Sequence, residues 1–194
     1  MFSDPYIEAK AAHSAAYFLK KAGGSLELLK LMKLMYLAER RCYAQYGRPM
    51  IGDRPMADRH GPVLDGVYRA AADENHRDGH AGPTWRSLIL PRDGNDIVLR
   101  DPDPTLKKLS RADRLLMDEV WEEHKDKTSS QLRKWTHLHC PEYDELSFTE
   151  WDPRKPIELD HLLMGIGFSG EEVAQLMESL AQQEHVDAQL RRAA

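Results

Sequence analysis

Apolar residues recur every three or four positions along most of this 194-residue chain, which is the spacing of amphipathic helices. The segment Leu26–Leu37 is apolar on nearly every side, so it predicts a helix buried in the core. We expect this helix to start after Ser25, a good capping residue, and to end at Gly47. A preceding helix is predicted from Asp4-Pro5 to a stop at Gly23-Gly24.

Three capping patterns mark helix starts in the second half of the chain. Each places a serine or threonine three residues before an acid or amide that can bond back to the cap, as in Ser110-x-x-Asp113, Thr128-x-x-Gln131 and Ser169-x-x-Glu172. Together with one shorter helical piece, the helices predicted here lie at about 111–125, 129–139, 158–166 and 170–185.

Strand signals are few. Leu88-Ile89-Leu90 and Ile97-Val98-Leu99 flank Asp93-Gly94-Asn95, which predicts a β-hairpin, and the polar residues 73–84 before it are expected to form a mobile loop. Strands and helices do not alternate, which argues against a Rossmann or barrel enzyme. The predicted fold class is mainly α (α+β): one compact helical domain over residues 1–185 with a small appended β-hairpin. The polar tail, 186–194, is expected to fray.

Composition fits a single globular domain. Hydrophobic residues make up 41% of the chain and charged residues 30%, enough for a core beneath a well-solvated surface. A formal net charge of −5 argues against a broad nucleic-acid footprint. We find no signal-peptide pattern and no apolar run of about 20 residues, and Cys42 and Cys140 suggest no disulfide framework. We therefore expect a reduced, cytoplasmic protein without a membrane partner, and DNA is disfavoured as a partner.

The stretch 57–70 carries the most distinctive local pattern, and its chemistry is that of a turn. Gly61 can adopt backbone angles that a side chain forbids, and Pro62 suits the first position of a helix. A helix is therefore predicted directly after Gly61-Pro62. Its apolar face is formed by Val63, Leu64, Val67, Tyr68 and Ala71.

Three blocks of sequence together resemble the Panacea domain family. They are Leu31-Met32-Lys33-Leu34-Met35-Tyr36-Leu37-Ala38, then His60-Gly61-Pro62-Val63 with Val67-Tyr68, and then Leu132-Arg133-Lys134-Trp135-Thr136-His137 with Pro141. The resemblance covers roughly residues 10–180. Two positions depart from the family pattern: Met32 stands where glutamine is usual, and Glu142-Tyr143 replaces a usual tryptophan. A partner that touches either position would differ accordingly.

The Panacea family includes SocA-like antitoxins of toxin–antitoxin pairs and phage-associated relatives. The resemblance implies a non-enzymatic antitoxin, without a cofactor, that binds and neutralises a cognate protein toxin. It also implies a variant in which the antitoxin is a proteolytic adaptor that delivers the toxin to a ClpXP-type protease. The candidate motif and partner-binding residues are Lys33, Tyr36, His60, Gly61, Pro62, Val63, Tyr68, Trp135, Thr136, His137 and Trp151.

Several of these residues have more than one interpretation. Lys33 is either a buried lysine with a shifted pKa or a packed stem whose ammonium reaches a carboxylate or carbonyl. Trp151 lies in a segment without helical periodicity and is the aromatic residue we expect a partner to cover. His60 is expected to bond a backbone carbonyl and so to hold the Gly-Pro turn.

Two other classes of function stay open at this point. One is a small hydrolase or metal-dependent enzyme using His60 or His137; however, His137 and His139 are two residues apart on a predicted helix and cannot easily share one metal ion. The other is a DNA-binding autoregulator. No catalytic residues and no metal ligands are predicted.

Overall fold

Helices form most of the structure. The computed structural model describes residues 5–74, 76–92, 94–143 and 154–193. In chain order its elements are α1 (Pro5–Lys21), β1 (Ser25–Glu27), α2 (Leu28–Tyr46), β2 (Pro55–Asp58), β3 (Gly61–Leu64), α3 (Asp65–Ala72), α4 (Pro83–Leu88), β4 (Asp96–Val98), α5 (Arg111–His124), α6 (Ser129–His139), β5 (Arg154–Pro156), α7 (Leu159–Gly165) and α8 (Gly170–Ala193). The predicted fold class, mainly α (α+β), is confirmed.

Helix α2 forms the centre of the core. Its residues 31–39 are all buried, and α1, α3, α5 and α6 pack against it. A helix that is covered on so many sides must be apolar nearly all round, as the sequence predicted. It ends at Gly47, which adopts the left-handed conformation (φ 61°) and donates its N–H to the Tyr43 carbonyl.

The predicted start of α2 is wrong. Residues 25–27 form strand β1, which pairs antiparallel with β4, and the helix begins at Leu28. The reason is visible in the burial pattern, because Leu26 is buried while Ser25 and Glu27 are exposed, which is the alternation of a strand. Ser25 is therefore no helix cap.

The predicted hairpin around residues 93–95 is only partly correct. Strand β4 pairs with β1, and Leu88 is the last residue of α4. The two predicted arms are joined by the antiparallel Ile89–Leu99 bridge and by two backbone hydrogen bonds of 2.9 Å, from the Leu90 N–H to the Val98 carbonyl and from the Arg100 N–H to the Leu88 carbonyl. Gly23 and Gly24 both have a positive φ and turn the chain after α1. This turn brings β1 alongside β4.

The prediction of a helix directly after Gly61-Pro62 is also wrong. Residues 61–64 form strand β3, which pairs antiparallel with β2, and β2 also pairs with β5. Pro62 is tolerated because β3 is an edge strand, where a missing N–H leaves no ladder bond unmade. Helix α3 starts only at Asp65, because the Asp53 carboxylate accepts the N–H groups of Gly66 and Val67 at 3.2 and 2.9 Å.

The helices of the second half begin where their caps predicted. Reciprocal capping boxes open α5 at Ser110 and α6 at Thr128, and Ser169 and Glu172 exchange the equivalent bonds before α8. Helix α8 continues to Ala193, beyond the predicted end at about residue 185. Among the described residues, no helix is long and apolar enough to cross a membrane.

Replacing Leu34 with alanine tests the central position of α2. The Leu34 side chain is 0% exposed, so the substitution should lower the free energy of unfolding by about 2–5 kcal/mol through lost burial and a cavity. Chemical denaturation measures this loss. As a control, Leu138 on α6 is 80% exposed, and its replacement by alanine should change stability by less than about 0.5 kcal/mol. Equal effects of the two variants would contradict the position assigned to α2.

Candidate partner-binding site

Lys33 lies in the middle of the apolar helix α2 and is 0% exposed. Its Nζ atom donates a hydrogen bond of 2.9 Å to the carbonyl oxygen of Pro62, at the start of β3. Burial lowers the pKa of Lys33 to about 7, and the negative charge of Asp58 opposes this decrease. The two interpretations of Lys33 thus describe one side chain, which is buried, has a shifted pKa and bonds a carbonyl.

Gly61 occupies a position that no other residue fits without strain. Its φ is +95°, and a Cβ atom placed on it would lie 2.9 Å from the His137 ring and 3.0 Å from Lys33 Nζ. The prediction of a glycine-dependent turn is therefore confirmed. The same position joins the three sequence blocks, because Lys33 comes from α2, Gly61 from the β2–β3 hairpin and His137 from α6.

His60 holds the turn through its backbone. The His60 N–H donates to Asp58 Oδ1 at 3.0 Å, which closes the β2–β3 turn, whereas the sequence predicted that the imidazole would bond a carbonyl. Its side chain is exposed at the tip of the hairpin. The physical reason is that an aspartate two residues earlier can accept this N–H directly, so the ring is left for the surface.

A groove of about 450 Å³ opens beside this hairpin. Three of the candidate residues, His60, Val63 and Tyr68, contribute to its wall. The remaining lining residues come from β1, the first turns of α2, the end of β2 and the turn before β4; they are Glu27, Leu28, Leu29, Met32, Asp58 and Asn95. Lys33 lies behind the groove, where it supports the Pro62 carbonyl.

Tyr36 belongs to a buried polar cluster one turn after Lys33 on the same face of α2. Its hydroxyl donates to Glu142 Oε1 at 2.6 Å, and Arg40 Nε donates to the same oxygen at 2.7 Å. The Glu142 side chain is 0% exposed, and Arg40 also bonds the Gly165 carbonyl at 2.9 Å. Burial together with the Glu142 charge raises the pKa of Tyr36. The departure at Glu142 is thus an internal contact that joins α2 to the C-terminal segment.

The third sequence block packs along α6. Trp135 stacks on His139 with ring centroids 4.4 Å apart and meets the edge of His124 at 4.6 Å. Thr136 is buried and donates its hydroxyl to the Arg133 carbonyl at 2.9 Å. Neither Trp135 nor Thr136 lines the groove. Trp151 lies outside the described residues.

The two histidines of α6 have separate surroundings. His137 packs against Tyr143 with ring centroids 4.6 Å apart, while His139 Nδ1 donates to the Trp135 carbonyl at 2.8 Å. Within the described part of the chain, no group of three or more histidine, cysteine or acidic residues could hold a metal ion. Burial raises the pKa of the nearby Cys140 thiol to about 12, so this thiol stays protonated.

Sequence reasoning missed the acidic part of this site. Asp58 closes the turn and lines the groove, and Glu27 also lines it, but neither belongs to a sequence block. The signal for Asp58 was its place two residues before His60, the spacing of an Asx turn. No pattern could have placed Glu27, because its position depends on β1 being a strand.

These observations define a mainly helical domain with an open groove at a hairpin that residues of all three sequence blocks hold in place. A family model described as "Antitoxin SocA-like, Panacea domain" matches residues 31–142, more than half of the chain. The chain therefore belongs to the SocA-like antitoxin family, as its sequence predicted, and this membership gives it a general antitoxin role with a toxin as partner. Neither the curated proteins nor the solved structures gave a significant match.

Substitution of Gly61 tests the crowding beneath the turn. Gly61→Ala should lower the free energy of unfolding by about 1–3 kcal/mol through backbone strain, with a further loss because His137 must move. Gly23→Ala is the matched control, since Gly23 also has a positive φ (+84°) but an added Cβ would meet nothing within 4 Å. Thermal and chemical denaturation of both variants give the comparison. Equal losses would show that His137 does not lie under Gly61.

The burial of Lys33 predicts a pH-dependent stability. Because the pKa is about 7 in the folded chain and near its ordinary value of 10.5 when unfolded, the unfolded state binds more protons between these values. The free energy of unfolding of the wild type, relative to Lys33→Met, should therefore rise from pH 7 to pH 9, by at most about 1.4 kcal/mol per pH unit. Denaturation at several pH values measures this difference. Parallel pH profiles would mean that Lys33 keeps an ordinary pKa.

Proposed function

We propose that this chain binds a cognate protein toxin directly and neutralises it in the complex. Two facts support the proposal: the family match over residues 31–142, and the convergence of all three sequence blocks around Gly61. The convergence of the three blocks around Gly61 is the observation on which the proposal mainly depends. Residues from α2, the hairpin and α6 fix the hairpin tip, and that hairpin forms one wall of an open, largely apolar groove.

A groove of this kind is suited to hold an anchor of a larger interface. Stable protein–protein interfaces bury about 1,600 Å² in total and depend on a few well-packed side chains near their centre. The groove offers such a place, with Leu28, Leu29 and Val63 on its walls. The surrounding contact area would come from the exposed hairpin tip and the start of α2.

The resemblance also implies a proteolytic mode, in which the antitoxin passes the toxin to a ClpXP-type protease. Blocking and delivery share the same first step, the toxin complex, and differ in the fate of the toxin. The hydrolase and metal alternatives gain no support from the site, because His60 closes a turn through its backbone and His137 packs against Tyr143.

Co-expression with the product of the adjacent gene tests this proposal. The adjacent product alone should arrest growth, and this chain should restore growth and co-purify with it. In cells that lack the ClpXP protease, unchanged rescue with an accumulating complex indicates blocking, whereas loss of rescue together with toxin accumulation indicates delivery. Absence of both toxicity and a complex would contradict the antitoxin proposal.

A further inference from the structure

The groove beside the β2–β3 hairpin is lined by apolar and acidic residues. Leu28, Leu29, Met32 and Val63 supply its apolar surface. Glu27 and Asp58 also line it, and among the described residues no lysine or arginine does. An occupant that matches this surface presents an apolar side chain next to a cationic one.

The protein's own Arg154 shows how one wall of the groove accommodates a guanidinium. Arg154 lies over the Tyr68 ring, with Cζ 4.7 Å from the ring centroid, and its Nε is 3.9 Å from Asp58. The same guanidinium also contacts Asp65 at 3.5 Å, so its charge is divided between two carboxylates. Asp65 has a closer partner in Arg69, at 3.0 Å. Asp58 therefore shares the charge of Arg154 with Asp65, and it also interacts with the buried Lys33.

Glu27 interacts electrostatically with Lys30, but the Lys30 ammonium donates its hydrogen bond of 2.6 Å to the Lys125 carbonyl, and no ion pair with Glu27 forms among the described residues. The Glu27 carboxylate accepts a hydrogen bond of 2.5 Å from the Ser129 hydroxyl, and the residue is exposed at the end of β1. Both carboxylates line the groove, Glu27 from β1 and Asp58 from β2, together with Met32 from α2.

We propose that the groove binds a segment of the partner toxin in which a large apolar side chain is followed closely by an arginine or lysine. The apolar side chain enters between Leu29 and Val63, and the cation pairs with Glu27 or Asp58. Met32 sets the apolar preference, because a thioether adapts to varied apolar shapes and offers little hydrogen bonding. This assignment rests on the proposed antitoxin function and names the site and the chemistry of the contact.

Isosteric variants test the electrostatic part without removing the local hydrogen bonds. In the double variant Glu27→Gln/Asp58→Asn each side chain keeps an acceptor oxygen for Ser129 and for the His60 N–H. Binding to the co-expressed adjacent-gene product, measured by titration of the purified proteins, should weaken by about tenfold or more and lose most of its salt dependence. The control Asp160→Asn/Glu178→Gln removes the same charge from α7 and α8 and should bind like the wild type.

A second pair of variants tests the apolar part. Leu29→Ser should weaken the complex by about tenfold or more, since the partner's side chain would lose its apolar contact. Leu138→Ser, at an exposed position outside the groove, should leave affinity unchanged. Circular dichroism confirms that each variant is folded before binding is compared.

The outcomes separate this inference from the proposed function. If the wild-type chain rescues growth and the groove variants bind as well as their controls, the toxin contacts another surface and the inference is wrong while the antitoxin function stands. If the wild-type chain neither rescues growth nor forms a complex, the antitoxin function itself is contradicted. Selective weakening of the groove variants supports both.

Discussion

Lys33 places an amine in the apolar core, and a buried amine or ammonium group is costly unless an acceptor meets it. The Pro62 carbonyl is that acceptor, and its position follows from the course of the β2–β3 hairpin. The hairpin must therefore pack against α2 in the position that brings the Pro62 carbonyl within hydrogen-bond distance of Lys33 Nζ. With the hairpin fixed there, only glycine fits at position 61, because His137 of α6 occupies the space where a side chain would begin.

This contact links the centre of the core to the surface that we propose for binding. The hairpin carries the exposed His60 at its tip, with Asp58 and Val63 on the groove wall. A shift of the hairpin by one residue would turn Val63 away from the groove, since side chains alternate along a strand. The polar cluster of Tyr36, Arg40 and Glu142 holds the next turns of the same face of α2 through satisfied buried hydrogen bonds.

The helices could be predicted from the sequence because their signals are local. A capping box needs only four residues, and the continuous apolar surface of α2 is readable from its spacing. The strands could not, because their pairing is set by distant segments. Ser25 was predicted to cap a helix, but it lies in a strand that pairs with β4. Pro62 was predicted to start a helix, but it lies in an edge strand that pairs with β2.

In the candidate site, too, the residues with local signals could be predicted from the sequence, and those placed by distant segments could not. Lys33 and Gly61 were identified from short blocks, but Glu142 is buried against Tyr36, 106 residues away, and the position of Glu27 depends on the pairing of β1 with β4. Of the two departures from the family pattern, Met32 lines the groove and Glu142 is internal. The Met32 side chain is only 1% exposed, so it reaches the groove from the core, and Glu142 is committed to the fold.

Hydrogen–deuterium exchange of the purified chain, alone and in complex with the adjacent-gene product, tests the central claim most directly. We expect the complex to slow exchange at the amides of the hairpin turn, residues 58–63, and of the first turn of α2. Amides in the second half of α8, remote from the hairpin in sequence, should exchange at the same rate in both states. Protection confined to other surfaces, with the hairpin turn unchanged, would contradict the assignment of the groove as the toxin contact.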